Sequence, residues 1–320
     1  MELVTADDVR AAATRVQGHV VRTPLTAGPE TERPFLLKPE SLQPTGAFKL
    51  RGATNAVALL NGAQRGNGVI THSSGNHGLA LVVASARHGV DCTVVVPEGA
   101  PEIKVERIRA AGARVVPVPP AERLTAAQEL VERELLALVP PFDDARVIAG
   151  QGTVGLEILE QSPEVTTIVV PVGGGGLASG VATAARTAHP RPVRVVGVEP
   201  ELAADAQESL REGRLVTWEP ERTYRTMADG VRTCLSEFTF AHLADRLDEV
   251  VTVSEDDIAR AVGLLAHGSR LVAEPSGALA AAALLSGRVD TVPDRPEATV
   301  AVVSGGNVDP YLLARLVATG

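Results

Sequence analysis

Short apolar runs alternate along this chain with longer amphipathic stretches. Phe35–Lys38, Val69–Thr71, Cys92–Val96, Arg114–Val116, Ile168–Val172, Val193–Val198, Glu249–Val253 and Ala298–Val303 each read as a strand. They are short, rich in β-branched residues and bounded by Gly, Pro, Asn or Asp. Between them the spacing predicts helices. Residues 5–17 open on a capping Thr5 with Asp7 and Asp8 in the first turn. Helix-favouring residues follow Phe48, and an apolar helix runs from the 73–78 loop to Gly89. Pro101 fits the first position of a helix that stops at Gly112. Residues 126–139 place Ala127, Leu130, Val131, Leu135 and Leu138 at helical spacing. A further helix starts at Leu177, and Ser254 caps one that carries Ile258, Ala261, Val262 and Leu265 on one face. Residues 201–245 are less regular. Strand followed by helix, repeated, argues for parallel sheets covered on both faces. Gly66-Asn67-Gly68 and Pro140-Pro141 bracket a smaller α/β unit.

Composition narrows the class. The 320 residues suffice for two domains, and 45% apolar content fills a sizeable core. Aromatics are only 2%, so that core is built from Val, Leu, Ile and Ala. A formal charge of −9 with few aromatics speaks against nucleic-acid binding. Cys92 and Cys234 are too few for a disulfide scaffold and read as buried thiols of a cytoplasmic protein. The N-terminal residues lack the apolar core of a signal peptide. Val165 to Ala185 carries no charge, but Pro171 and a glycine run make it strand, turn and helix rather than a membrane span.

The chemistry lies in glycine-rich blocks at strand ends, where open parallel sheets bind ligands. Ser41-Leu42-Gln43-Pro44-Thr45-Gly46-Ala47-Phe48-Lys49-Leu50-Arg51-Gly52-Ala53 puts Lys49 in the first turn of a helix. The helix dipole and close packing there favour the neutral amine, the form that attacks a carbonyl. Val172-Gly173-Gly174-Gly175-Gly176-Leu177 leaves backbone N–H groups free to converge on an anion at a helix start. Ser73-Ser74-Gly75-Asn76-His77 can hold a carboxylate in the same way. Gly173-x-Gly175-x-x-Ala178 with Glu199 downstream also fits a dinucleotide fingerprint. That opens an alternative of a different class, an NAD-dependent oxidoreductase on a Rossmann-like fold. It begins in mid-chain and leaves the Lys49, Ser74 and Ser304 blocks unexplained. There is no HExxH, paired CxxC or GxSxG.

These blocks, with Thr71–Gly78 and Ser304-Gly305-Gly306-Asn307, resemble the fold-type II pyridoxal-phosphate (PLP) enzymes, the serine/threonine dehydratases and serine racemases. The likeness spans residues 20 to 310. It implies a two-domain α/β fold (tryptophan synthase β-like) with parallel-rich sheets covered by helices. Residues 1–67 and 144–320 would form the large PLP-binding domain, and 68–143 the small α/β domain. By the same resemblance, Lys49 bears the cofactor as a Schiff base beside Phe48. Gly173, Gly174, Gly175 and Gly176 cup its phosphate, Asn76 meets its phenolic oxygen, and Ser304 bonds its ring nitrogen. Gly230 gives a backbone contact. Ser73, Ser74, Gly75, Asn76 and His77 form the substrate-carboxylate loop, with no role for the His77 side chain. Ser74 handles a proton on the face opposite Lys49. Gly150-Gln151-Gly152-Thr153 matches a segment that lines the site. Glu199, Asp205 and the Ala203 carbonyl match a site for Mg²⁺, Ca²⁺ or Mn²⁺.

The implied activity is a PLP-dependent ammonia-lyase acting on L-threonine or L-serine. A serine (amino-acid) racemase using Lys49 and Ser74, or a 3-hydroxyaspartate dehydratase drawing on Arg123, are alternatives on the same fold. A catalytically silent binding protein is a third class. Leu79 and Pro44 depart from nucleotide-stimulated animal racemases, and Pro140–Asp144 looks more like bacterial threonine dehydratases. A cytoplasmic homodimer handling a small amino acid, without nucleic acid or membrane, completes the expectation.

Overall fold

The computed structural model describes residues 2–100, 102–187, 191–292 and 295–319. Helix α1 (Ala6–Val16) is followed by strands β1 (Thr26–Ala27) and β2 (Leu36–Pro39), then α2 (Lys49–Ala58) and α3 (Gly62–Asn67). The next stretch is β3 (Val69–Thr71), α4 (Asn76–Arg87), β4 (Cys92–Pro97), α5 (Glu102–Ala110), β5 (Arg114–Val118), α6 (Arg123–Glu134) and β6 (Ala137–Leu138). Then come α7 (Ala145–Gln161), β7 (Thr167–Pro171), α8 (Gly176–Thr187), β8 (Arg194–Pro200), α9 (Asp205–Glu212), α10 (Pro220–Thr223) and α11 (Glu237–Arg246). β9 (Glu249–Val253), α12 (Glu255–Gly268), α13 (Pro275–Leu285), β10 (Thr299–Val303) and α14 (Pro310–Thr319) close the chain.

The strands form two sheets. One has the order β1-β2-β10-β7-β8-β9, all parallel except the short β1; the other is β5-β4-β3-β6, all parallel. In the larger sheet both faces are apolar, as a doubly covered sheet requires. Val170, Val172, Val195, Val300 and Val302 pack beneath α1, α7 and α8. Val169, Val196, Val198, Ala301 and Val303 pack against α12, α13 and α14. Ala278 to Ala283 of α13 are buried on every side; their small side chains let this helix press flat on the strands.

Thr5 caps α1 in a reciprocal pair with Asp8, and Ser254 caps α12 with Asp257. The eight expected strands lie within a residue or two of observed ones, while β1 and β6 were not anticipated. Two helical expectations were incomplete. Leu135 and Leu138 do not continue a helix: α6 ends at Glu134, Leu135 turns left-handed (φ 54°), and β6 joins β3. Pairing with a parallel neighbour outweighs the helical spacing there. The 17-residue α7 was not anticipated. Gly150, Gly152 and Gly155 weaken its intrinsic preference but let three neighbours approach. A Cβ at Gly150 would fall 2.6 Å from Gly52 Cα, and one at Gly155 would fall 3.0 Å from Val181 O. The Gly150–Thr153 segment is thus a buried helix–helix seam between α2, α1 and α8. The expectation for Pro101 lies outside the described residues. No described helix is long and apolar enough to cross a membrane.

Candidate active site

The order β2-β10-β7 places three of the four glycine-bearing loops side by side, because these strands run parallel and the loops leave their C-terminal ends. The loop after β2 is stitched to the loop after β10. Phe48 N–H donates to Ser304 O (3.0 Å), Gly306 N–H to Gly46 O (2.9 Å), and Asn307 Nδ2 to Thr45 O (2.8 Å). A lone antiparallel bridge joins Ala47 and Gly305. Gly46 has φ +73°, which a side chain would disfavour in this tight turn.

Lys49 is the first residue of α2. Its Nζ donates to Pro141 O (2.7 Å) and lies 4.9 Å from the centre of the Phe48 ring. Burial pushes its pKa down to about 8, so a sizeable fraction is free amine near neutral pH. No neighbouring cation is needed to account for this shift; lost hydration suffices.

The four-glycine turn after β7 lies where a side chain could not fit. Cβ atoms at Gly174 and Gly176 would be 2.4 Å and 2.8 Å from Phe142, and one at Gly173 would be 2.7 Å from Val231 Cα. Phe142 follows the residue that holds Lys49, so one short segment touches both amine and glycine turn. Gly230 N–H donates to Ser276 Oγ (2.8 Å), and Ser304 Oγ reaches Ser276 O at 3.5 Å.

From the smaller sheet, the loop after β3 brings residues 73–77 to the same seam. Asn76 opens α4, donating from Nδ2 to Glu274 Oε1 (2.6 Å) and accepting at Oδ1 from Asn307 Nδ2 (2.8 Å). Ser74, Gly75, Asn76 and Asn307 share a cavity of about 40 Å³ with Leu79 and Arg107. The His77 side chain points away into the core, its Nε2 bonded to Val139 O at 2.9 Å. Burial, then the charge of Lys49, pushes its pKa down to about 3, so it stays neutral.

Glu199 and Asp205 lie elsewhere, at the end of β8 and the start of α9. Both are buried. Glu199 accepts from Ala206 N–H (3.0 Å) and Gln207 N–H (2.8 Å), and Asp205 from Leu235 N–H (3.1 Å). Burial, then the Asp205 charge, pushes Glu199 well above the usual carboxylate range; burial likewise raises Asp205. Among the described residues no three His, Cys, Asp or Glu side chains are close enough to hold a metal.

Residues 16–305 match the model of the family described as pyridoxal-phosphate dependent enzyme. The chain belongs to the PLP-dependent enzymes. It is 38% identical to the catabolic L-threonine dehydratase of Escherichia coli, covering 96% of this chain and 94% of that one. It is also 38% identical to the L-threo-3-hydroxyaspartate ammonia-lyase of Saccharomyces cerevisiae, covering 99% and 97%. Among solved structures, the serine racemase of Dictyostelium discoideum superposes with a TM-score of 0.88 at 37% identity, covering 96% of this chain and 99% of that one. The α/β fold with its parallel sheets is that of these PLP enzymes. The dinucleotide reading of Gly173–Ala178 falls away with this result, and Glu199 faces Asp205 and backbone N–H groups instead of a ribose pocket.

The residues fit PLP. An amine of lowered pKa, a side-chain-free turn at the start of the 12-residue α8 and a hydroxyl at Ser304 lie around one seam. Sequence patterns did not reveal Pro141, Phe142, Ser276 or Glu274. Each acts through partners far along the chain, and no local spacing marks them.

Proposed function

We propose that this PLP-dependent enzyme is an ammonia-lyase that converts a small β-hydroxy amino acid, L-threonine or L-serine, to a 2-oxo acid and ammonia. The placement of Lys49 at the start of α2, joined through Pro141 and Phe142 to the four-glycine turn, carries the reading. PLP, when bound through Lys49, Asn76, Gly173–Gly176, Gly230 and Ser304, supplies the electron sink that acidifies the substrate's α-C–H. Lys49, released by the incoming amine, takes the α-proton and hands a proton to the departing β-hydroxyl. N–H groups at the start of α4, from Ser73 to His77, hold the carboxylate. The Ser304 hydroxyl can donate to an unprotonated ring nitrogen, where an aspartate would keep it protonated. That weaker sink suits elimination over a long-lived carbanion. Racemisation is the companion reaction, with Ser74 returning the proton from the opposite face.

A specific observation favours a second reading, an acidic substrate such as 3-hydroxyaspartate. Arg123 Nε is buried without a hydrogen-bond partner among the described residues, and its charge bears on His72, next to Ser73. An added substrate carboxylate would satisfy it.

The two separate sheets support a small domain at 68–143 and a large one at 1–67 and 144–320. The buried carboxylates Glu199 and Asp205, with the Ala203 carbonyl, support a divalent cation, Mg²⁺ or its hard-oxygen relatives. Free Cys92 and Cys234 accord with the cytoplasm. Exposed Leu42 and Val272, whose neighbours Ser41 and Val272 O both flank Gly306, suit burial in a homodimer.

The test is a panel of L- and D-amino acids assayed for ammonia, 2-oxo acid and enantiomer, with and without Mg²⁺. L-Threonine or L-serine should yield 2-oxo acid, and Lys49→Ala should lose both turnover and the visible cofactor band. Retention of band and activity in Lys49→Ala would defeat the proposal. A band without turnover on any substrate would favour a silent binding protein.

A further inference from the structure

Glu274, just before α13, is only 5% exposed. Its backbone N–H donates to Gly305 O (3.0 Å), and its carboxylate lies so close to Gly305 that a Cβ there would be 2.2 Å from Oε1. Glycine at 305 is what leaves the carboxylate its place. From there Oε1 accepts from Asn76 Nδ2 at 2.6 Å, across 198 residues of chain. At the other end of the same amide, Asn76 Oδ1 accepts from Asn307 Nδ2 at 2.8 Å.

An asparagine amide has two ends of nearly equal size, and only its partners decide which way it faces. Glu274 Oε1 accepts at this contact, so it selects the NH₂ end. The Asn307 NH₂ group can only donate, so it selects the oxygen. Asn76 is therefore fixed from both sides, with one Nδ2 hydrogen uncommitted among the described residues. Neither partner belongs to the loop that carries Asn76: Glu274 leads into α13 and Asn307 follows β10.

We propose that Glu274 is a positioning residue for the PLP reaction, acting through Asn76 to aim the remaining amide hydrogen at the cofactor's phenolic oxygen. This rests on the PLP reading above. Without the carboxylate one of the amide's two holds is gone, its hydrogen is no longer aimed at that oxygen, and the cofactor's protonation and colour change. Substrate binding depends on backbone N–H groups and is largely spared.

Holoenzyme carrying Glu274→Ala, Glu274→Gln or no substitution is compared by visible spectrum against pH, by kcat and by KM. Glu274→Ala should lower kcat about tenfold, as expected when the partner orienting a ligand is lost. Its KM should change little, and its cofactor band should titrate at a different pH. Glu274→Gln keeps an acceptor and should restore both kcat and spectrum. Wild-type kcat and spectrum in Glu274→Ala would overturn the proposal. Equal losses in both variants with an unshifted band would also overturn it, since that is the mark of a packing role. Borohydride reduction and peptide mapping of the unsubstituted enzyme run alongside. Absence of label at Lys49 would remove the PLP reading itself; label at Lys49 with an unaffected Glu274→Ala removes only the role of Glu274.

Discussion

Glu40 and Glu199 are both fully buried, and both lie at the C-terminal end of a strand of the larger sheet. Their surroundings are opposite. Arg51 grips Glu40 through two bonds (2.7 and 2.8 Å) and reaches on to Glu157 through two more (2.7 and 2.9 Å). Lys38 Nζ joins Glu157 at 2.6 Å. Two cations and two anions close on themselves, tying β2, α2 and α7 together two residues from Lys49. Burial pushes Glu40 up, but the Arg51 charge and hydrogen bonds, with Lys38, bring it below its ordinary value. Glu199 has only backbone donors and a second carboxylate beside it, and it is pushed up. No basic side chain pairs with Glu199 or Asp205 among the described residues. A closed cluster of charge fastens the fold; an open pair repels itself when both carboxyls ionise, and the cation proposed above would relieve it.

The largest effect should come from opening the closed cluster. Arg51→Ala leaves Glu40 without its paired cation and Glu157 with Lys38 alone, and should cost about 3–5 kcal/mol in denaturant unfolding. A loss under about 1 kcal/mol, the range of an exposed pair, would show that the cluster is not the fastening it looks like.

Next is the cation. Mg²⁺ or Mn²⁺ at 100 times its dissociation constant should stabilise the protein by about 2.7 kcal/mol. The pH dependence has a definite sign. A carboxyl with a raised folded pKa favours folding below its unfolded value of about 4 and loses that contribution as pH rises through the folded value. The metal-free pair therefore costs stability at neutral pH and above, and the metal-induced rise in melting temperature should be larger at pH 8 than at pH 5. An equal rise at both, or none, would sink the site.

Substituting within the open pair should cost far less than opening the closed cluster. Glu199→Gln removes the charge but offers one acceptor where the Ala206 and Gln207 N–H groups use two, so in chelator it should shift stability by no more than about 1 kcal/mol, and it should lose the metal response. A retained metal response would show that Glu199 does not hold the cation.

The smallest effect concerns Lys49, a half-buried amine with no carboxylate paired to it among the described residues. The rate at which cofactor-free protein captures PLP should rise with pH through about 8, where an exposed lysine would respond near about 10.4. Stopped-flow absorbance over that range decides between them.

Much of the fold was legible because strands in doubly covered parallel sheets are short unbroken apolar runs. Val69–Thr71 and Glu249–Val253 match the expected residues. Lys49 was legible because proline and glycine punctuate the loop before its helix. α7 was hidden: its glycines look like breakers until α1, α2 and α8 are seen packed against them. α13, nearly all alanine, carries no polar face from which a period could be read. Within the site, His77 shows the limit of a motif. It belongs to the Ser73–Gly78 string, yet its ring serves the core through Val139.

The sequence by itself determined the order of strands and helices, the strand ends that bear glycine loops, and the lysine that opens α2. Those features depend on neighbours within a turn or a strand. Tertiary structure alone decided which carboxylates are neutralised, which way Asn76 faces, and how far Lys49 loses its water. Each of those is set by desolvation and by partners as far as 231 residues away, and such interactions leave no period in the chain.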